Sequence, residues 1–311
     1  MSRLPRIKAD GEQGWYHLHA RVAGVRGRYP LQETACRRKL SDLLQRFSGL
    51  YMCEMAAFCV MGNHWHAVMH FQAPFALEEG DLAAIAAKFY PGKAGQKMLA
   101  SWTEEHWQRF AGRIFDVSEF MRNVQMAFAK WYNRTHDRSG RFWGERFGST
   151  LLEDEKSVLD CMLYIELNPA RAGICALPRR HKGSSAFLRA IGKDKWLMNI
   201  DRVLASDSEQ QARREYNHLL TWRGTEPTRK GQARIPAHIA REEERRGYRD
   251  RGAFLKRVGH LTEGLAVGCH QFVNEKIASM KERGYYLRRC NPIKPEDSPH
   301  RALRPQRQPR E

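Results

Sequence analysis

Two apolar runs flank Met61-Gly62-Asn63, one over residues 50–60 and one beginning at His64-Trp65-His66. Apolar runs of strand length on either side of a glycine-asparagine turn read as a β-hairpin. Alternate side chains of a strand share a face, so His64 and His66 project from one side of a sheet while Trp65 packs on the other. Two imidazoles on one rigid strand supply half of a metal site. A pair of hydrogen-bonded histidines on a polar strand face is the plainer reading of the same spacing.

The flanking chain supports a sheet with helices. Residues 15–22 alternate, with Tyr16, Leu18, Ala20 and Val22 on one face and His17, His19 and Arg21 on the other. This second His-x-His competes for a metal, although the exposed face of an antiparallel sheet is the preferred place for it. After the turn at Gly24, Gly27 and Pro30, Thr34 caps a helix over residues 34–47. Residues 72–117 read as an insertion over the sheet, with a helix near residues 82–89. Ser118 caps a further helix over residues 119–134, whose Phe120, Val124, Ala127, Phe128 and Trp131 form a core stripe. Residues 136–147 then interleave arginines and aromatics around glycines. Such a loop grips phosphates and stacks on unpaired bases, or it is a basic turn with Trp143 covering the core, and the residues alone leave both open. A strand over residues 149–152 and a helix from Glu155 follow. Tyr164 and Asn168, four apart, lie on one face of that helix, and since Pro169 is poorly placed inside a helix, Asn168 lies near its end. Tyr164 also reads as an interfacial tyrosine capping the core.

The charge balance narrows the partners. The 311 residues carry 53 Lys and Arg against 35 Asp and Glu, a formal charge of +18. Such a chain favours a polyanion, since neutralised phosphates release counterions. A membrane is the poorest candidate, because no apolar run approaches the roughly 20 residues needed to span one. Seven scattered cysteines without a Cys-x-x-Cys pair suggest reduced thiols in a cytoplasm, and a DNA partner would make the protein nucleoid-associated. A zinc site joining Cys53 or Cys59 to His64 and His66 ranks below a site of hard-ion type.

Gly62-Asn63-His64-Trp65-His66, the segment from Arg141 to Arg146, and Tyr164-Ile165-Glu166-Leu167-Asn168-Pro169-Ala170-Arg171-Ala172-Gly173 occur in that order. Together they resemble the REP-associated tyrosine transposases, relatives of the single-tyrosine HUH transposases, over residues 15–178. The resemblance implies an α+β fold, an antiparallel sheet with helices packed on it, of ferredoxin-like and RRM-like kind. It implies a Mg2+ or Mn2+ ion held by His64 and His66, and Tyr164 as the nucleophile that forms a 5′-phosphotyrosine in single-stranded, hairpin DNA. Asn168, one helical turn after the tyrosine, matches the third ligand of related enzymes, and an amide oxygen suits a hard ion; an asparagine before proline also caps or turns a chain. Glu166 is the lesser alternative. Arg141, Trp143, Arg146 and Arg171 are the DNA-binding candidates. Relatives are monomers or dimers that exchange the tyrosine helix, and a monomer is favoured here.

Residues 1–14 read as a lead-in and residues 179–185 as a basic hinge to a helical accessory region over residues 179–291. Within it, Ser208 to Trp222 reads as a helix and residues 223–252 include a linker. The helical spacing of Leu265, Cys269, Phe272, Val273, Ile277 and Met280, with Phe254 to Val258, suits either a helix-turn-helix unit or a helical pair covering the sheet. Residues 292–311, rich in Pro and Arg, read as a disordered tail. The expected activity is metal-dependent DNA strand cleavage and transfer. The rivals are a non-catalytic DNA-binding descendant of a transposase and a phosphodiesterase that uses water.

Overall fold

The computed structural model describes residues 6–9, 11–24, 27, 29–227, 231–245, 264–285, 290–293 and 300–305. Among the described residues, seven strands form one sheet in the order β2-β3-β1-β4-β5-β7-β6. Their ranges are β1 Gly14–Arg21, β2 Cys53–Val60, β3 His64–Phe71, β4 Gly148–Leu152, β5 Ala266–Gly268, β6 Cys290–Ile293 and β7 Arg301–Pro305. All neighbours are antiparallel except β4 and β5. The fold is thus the expected mixture of a mostly antiparallel sheet and packed helices.

The β2–β3 hairpin closes through Met61, whose N–H donates to His64 O at 2.8 Å. Trp65 is fully buried on one face of the sheet, with Leu18, Tyr16 and Met69. Helices α1 (Thr34–Ser48) and α5 (Val117–Thr135) cover that face through Leu40, Leu44, Phe120, Val124 and Phe128. The cap of α5 is Asp116, which accepts from the N–H groups of Ser118 and Glu119; Ser118 already lies inside the first turn. The insertion contains α2 (Glu79–Phe89), α3 (Gly92–Ala100) and α4 (Glu104–Arg113) around a small core of Ala86, Phe110 and Ile114.

Helix α6 (Glu155–Arg171) crosses β2 and β3 on the opposite face. Asp154 and Ser157 form its capping box. Asn168 lies near its end, as expected; the helix runs through Pro169 to Arg171, a proline in the last turn forfeiting one backbone bond while its neighbours keep theirs. Helices α7 (Ser185–Ala190), α8 (Asp201–Leu204), α9 (Glu209–Thr225) and α10 (Ala237–Arg245) complete this layer. Ser208 caps α9 as its sequence suggests.

Residues 181–185 are not a hinge. Val60 N–H donates to Gly183 O at 2.7 Å, and Ser185 Oγ both accepts from Phe58 N–H and donates to Phe58 O. The segment is thereby tied along β2. At the C-terminal end, residues 266–268 form β5 rather than the start of a helix, and Cys269 caps α11 (His270–Glu282). Part of the expected disordered tail instead builds β6 and β7, with Pro292 in the outermost strand. Residues 228–230, 246–263 and 306–311 lie outside the described residues, and with them much of the expected linker and the Phe254 to Val258 segment.

Candidate active site on the sheet

β1 and β3 pair so that His19 stands opposite His66 and Arg21 opposite His64. Period-two alternation therefore gathers His17, His19, His64 and His66 on one face, the face that α6 covers. The expectation that His17 and His19 sit on an exposed polar surface is corrected: His17 is fully buried. Its Nε2 lies 3.0 Å from His66 Nδ1. The rings of His17 and His66 stack at 5.1 Å, and the rings of His19 and His66 are 5.7 Å apart. Gly148, opposite His19 on β4, makes room for that ring, since a Cβ there would fall 2.0 Å from His19 Nε2.

Tyr164 reaches the same cluster from α6. Its ring meets His66 at 5.8 Å and His17 at 6.2 Å between centroids, both edge-on. The structure thus brings Tyr164 to the strand that carries His64 and His66.

Burial disfavours the charged form of three of these imidazoles. Burial, aided by Arg21, holds His19 and His64 down to about 4, and burial with the neighbouring His64, His17 and His19 lowers His66 well below the usual value. Neutral imidazole is the form that ligates metals. His64 Nδ1–H donates to Asn63 Oδ1 at 2.7 Å, which makes Nε2 its lone-pair nitrogen. When His66 Nδ1 donates to His17, Nε2 is likewise its ligand atom. Asn168 sits one helical turn beyond Tyr164, and its buried Nδ2 has no hydrogen-bond partner. A brace of this kind behind the imidazoles fits a divalent ion; the unpartnered Asn168 Nδ2 is a donor and offers an ion no lone pair.

The remaining candidates fall elsewhere. Glu166 is fully buried; it accepts from Tyr216 Oη at 2.7 Å and from Arg189 at 3.0 Å, with Ser185 as a third partner. It ties α6 to α7 and α9. Arg171 is also buried; burial and Arg223 lower its guanidinium to about 10, while Tyr164 favours its charge. Trp143 is core: it is 8% exposed, and its Nε1–H donates to Gln125 O at 2.8 Å. Of the loop candidates, Arg141 and Arg146 are exposed. Cys53 and Cys59 are buried, and Cys59 Sγ contacts Met61 Sδ. Among the described residues, the His, Cys, Asp or Glu ligand atoms that lie within 4.8 Å of one another in a group of three belong to Glu33, Cys36 and His136, which is not the expected centre. No described helix is long and apolar enough to cross a membrane.

The signal for His17 and His19 was present as the period-two repeat of β1. What the sequence did not carry was the helix that covers it. No family model matches the chain, and no curated protein matches it. A solved structure of a REP-associated tyrosine transposase bound to a REP hairpin is similar at 16% identity, covering 62% of this chain and 86% of that one with a TM-score of 0.38, a likeness too loose to assign any residue here a role.

Proposed function

We propose that the chain is a transposase-like enzyme that cleaves single-stranded, hairpin-forming DNA through Tyr164, with Mg2+ or Mn2+ held by His64, His66 and Asn168. One observation carries the reading: a tyrosine on α6 lies edge-on against His66, on the strand that also presents His64 with its Nε2 lone pair free of the Asn63 bond. The motif order in the sequence agrees with it.

In this reaction the Tyr164 hydroxyl oxygen attacks phosphorus. The bond to the 3′ oxygen breaks, leaving a 3′-hydroxyl and a 5′-phosphotyrosine that keeps the bond energy for rejoining. A bound divalent ion supplies polarisation of a phosphate oxygen and absorbs developing charge. Asn63 and His17 orient the ligand histidines. An unassisted phenol ionises only near pH 10, so the ion or a nearby base must help remove the Tyr164 proton. The +18 charge and the exposed Arg141 and Arg146 draw in the phosphate backbone. Residues 15–178 supply the reacting groups, and the chain acts as a monomer.

The test is incubation with end-labelled hairpin DNA and Mg2+ or Mn2+, then denaturing electrophoresis. A protein–DNA adduct is expected from the wild type and from neither Tyr164→Phe nor His64→Ala. Cleavage that persists in Tyr164→Phe would assign the reaction to water, and binding without any cleavage would leave a DNA-binding protein.

A further inference from the structure

The start of α1 and the end of α5 bring together three side chains that the reaction above does not use. Glu33, Cys36 and His136 each offer one ligand atom, all within 4.8 Å of one another. Glu33 Oε2 is 3.2 Å from His136 Nε2 and 3.5 Å from Cys36 Sγ. Around a tetrahedral zinc, with bonds of about 2.0 Å to O and N and about 2.3 Å to S, the same separations are about 3.3 and 3.5 Å. Two of the three separations thus already match those around such an ion, and the third, between sulfur and nitrogen, is no more than 4.8 Å.

A group outside the triad aims the imidazole. His136 Nδ1–H donates to Tyr132 O at 2.9 Å, so Nε2 is the nitrogen turned to the carboxylate. A lone pair facing a carboxylate oxygen at this distance requires a cation or a proton between them. A backbone carbonyl on the remote nitrogen is the usual brace behind a metal-bound histidine. The Tyr132 ring stacks on His136 at 3.9 Å and 20°, which fixes the plane of the imidazole.

Access is one-sided. Cys36 is fully buried, whereas the side chains of Glu33 and His136 are 51% and 26% exposed, so an ion enters over the carboxylate and meets the sulfur at the back. Burial and Glu33 push the Cys36 thiol up to about 12, so the metal-free site holds a thiol.

We propose that Glu33, Cys36 and His136 bind one zinc-class divalent ion, with water in the fourth position and the Cys36 proton released to solvent. Thiolate and imidazole favour such an ion over Mg2+, which separates this site from the one on β3. The ion clips the end of α5 to α1 at the point where the loop bearing Arg141 and Arg146 begins, and so orders that loop.

The experiment is titration of the chelator-stripped full chain with Co2+, followed by the thiolate-to-cobalt charge-transfer band and its bleaching by Zn2+. The wild type and a His64→Ala/His66→Ala variant should both show the band at one equivalent. Cys36→Ser should lose it. Because that change puts a hydroxyl into the core, Glu33→Gln, at an exposed side chain, and His136→Ala, at a half-buried one, repeat the test and should weaken or abolish the band with circular dichroism unchanged. No band in the wild type, or a band that survives Cys36→Ser or is untouched by His136→Ala, overturns the proposal.

Discussion

His17 Nε2 lies 3.0 Å from His66 Nδ1, inside the sheet face that α6 covers. A buried histidine whose partner is another histidine's remote nitrogen sets the tautomer of that partner. His17→Ala is therefore expected to weaken Mn2+ binding by about 10- to 100-fold, the usual cost of losing such a brace. Calorimetry or Mn2+ electron paramagnetic resonance reads the affinity, with thermal melting as the control for the fold. Unchanged affinity would reduce the contact to packing.

Gly148 and His19 occupy space that only one of them can fill. In Gly148→Ala the new methyl would meet the His19 ring, displacing it at a cost of about 1–3 kcal/mol. His19→Ala in the same chain should recover most of that loss. A double-mutant cycle by urea unfolding measures the coupling, and strict additivity would show that ring and methyl do not compete.

Acidification should destabilise the metal-free protein. His19 and His64 are held to about 4 when folded, against 6.5 for an ordinary imidazole. The unfolded chain therefore takes up protons first, and stability present above pH 6.5 is lost as the pH falls towards 4. The slope is at most about 1.4 kcal/mol per pH unit for each histidine. Urea unfolding at pH 7 and pH 5 should show the drop, and His19→Asn should lessen it. A flat profile would contradict the buried neutral pair.

Trp143 and its neighbours in the loop should separate into two kinds of effect. Trp143→Ala removes a core side chain packed on Phe128 and Phe142 and should cost about 3–5 kcal/mol of stability. Arg141→Ala with Arg146→Ala should leave stability nearly unchanged and reduce the salt slope of DNA binding by about 2, one for each lost phosphate contact. A stable Trp143→Ala chain with weakened DNA binding would return the tryptophan to base stacking, and an unchanged salt slope would move the phosphate contacts elsewhere.

The elements with strong local periodicity were legible in the sequence: the hairpin around Gly62, α1, α5, α6 and the Ser208 cap of α9. Local spacing fails where a distant partner decides. Ala266 to Gly268 lie within a run of helical spacing, yet β4 and β7 supply the backbone bonds that make them a strand. His17 and His19 looked exposed because polarity reports a residue's chemistry and not whether a helix lies over it. The same reasoning explains Trp143, whose indole N–H finds a carbonyl eighteen residues earlier in the chain.

The segment from His181 to Ser185 has a consequence for how copies of the chain can meet. By bonding to Phe58 and Val60 it occupies backbone groups on the outer side of β2, where an extended strand would otherwise add. At the far side of the sheet, Pro292 interrupts the row of donors in β6. Strand addition, the cheapest route from one sheet to a shared one, is thus blunted at the β2 flank, and at the β6 flank it meets a residue with no N–H to give.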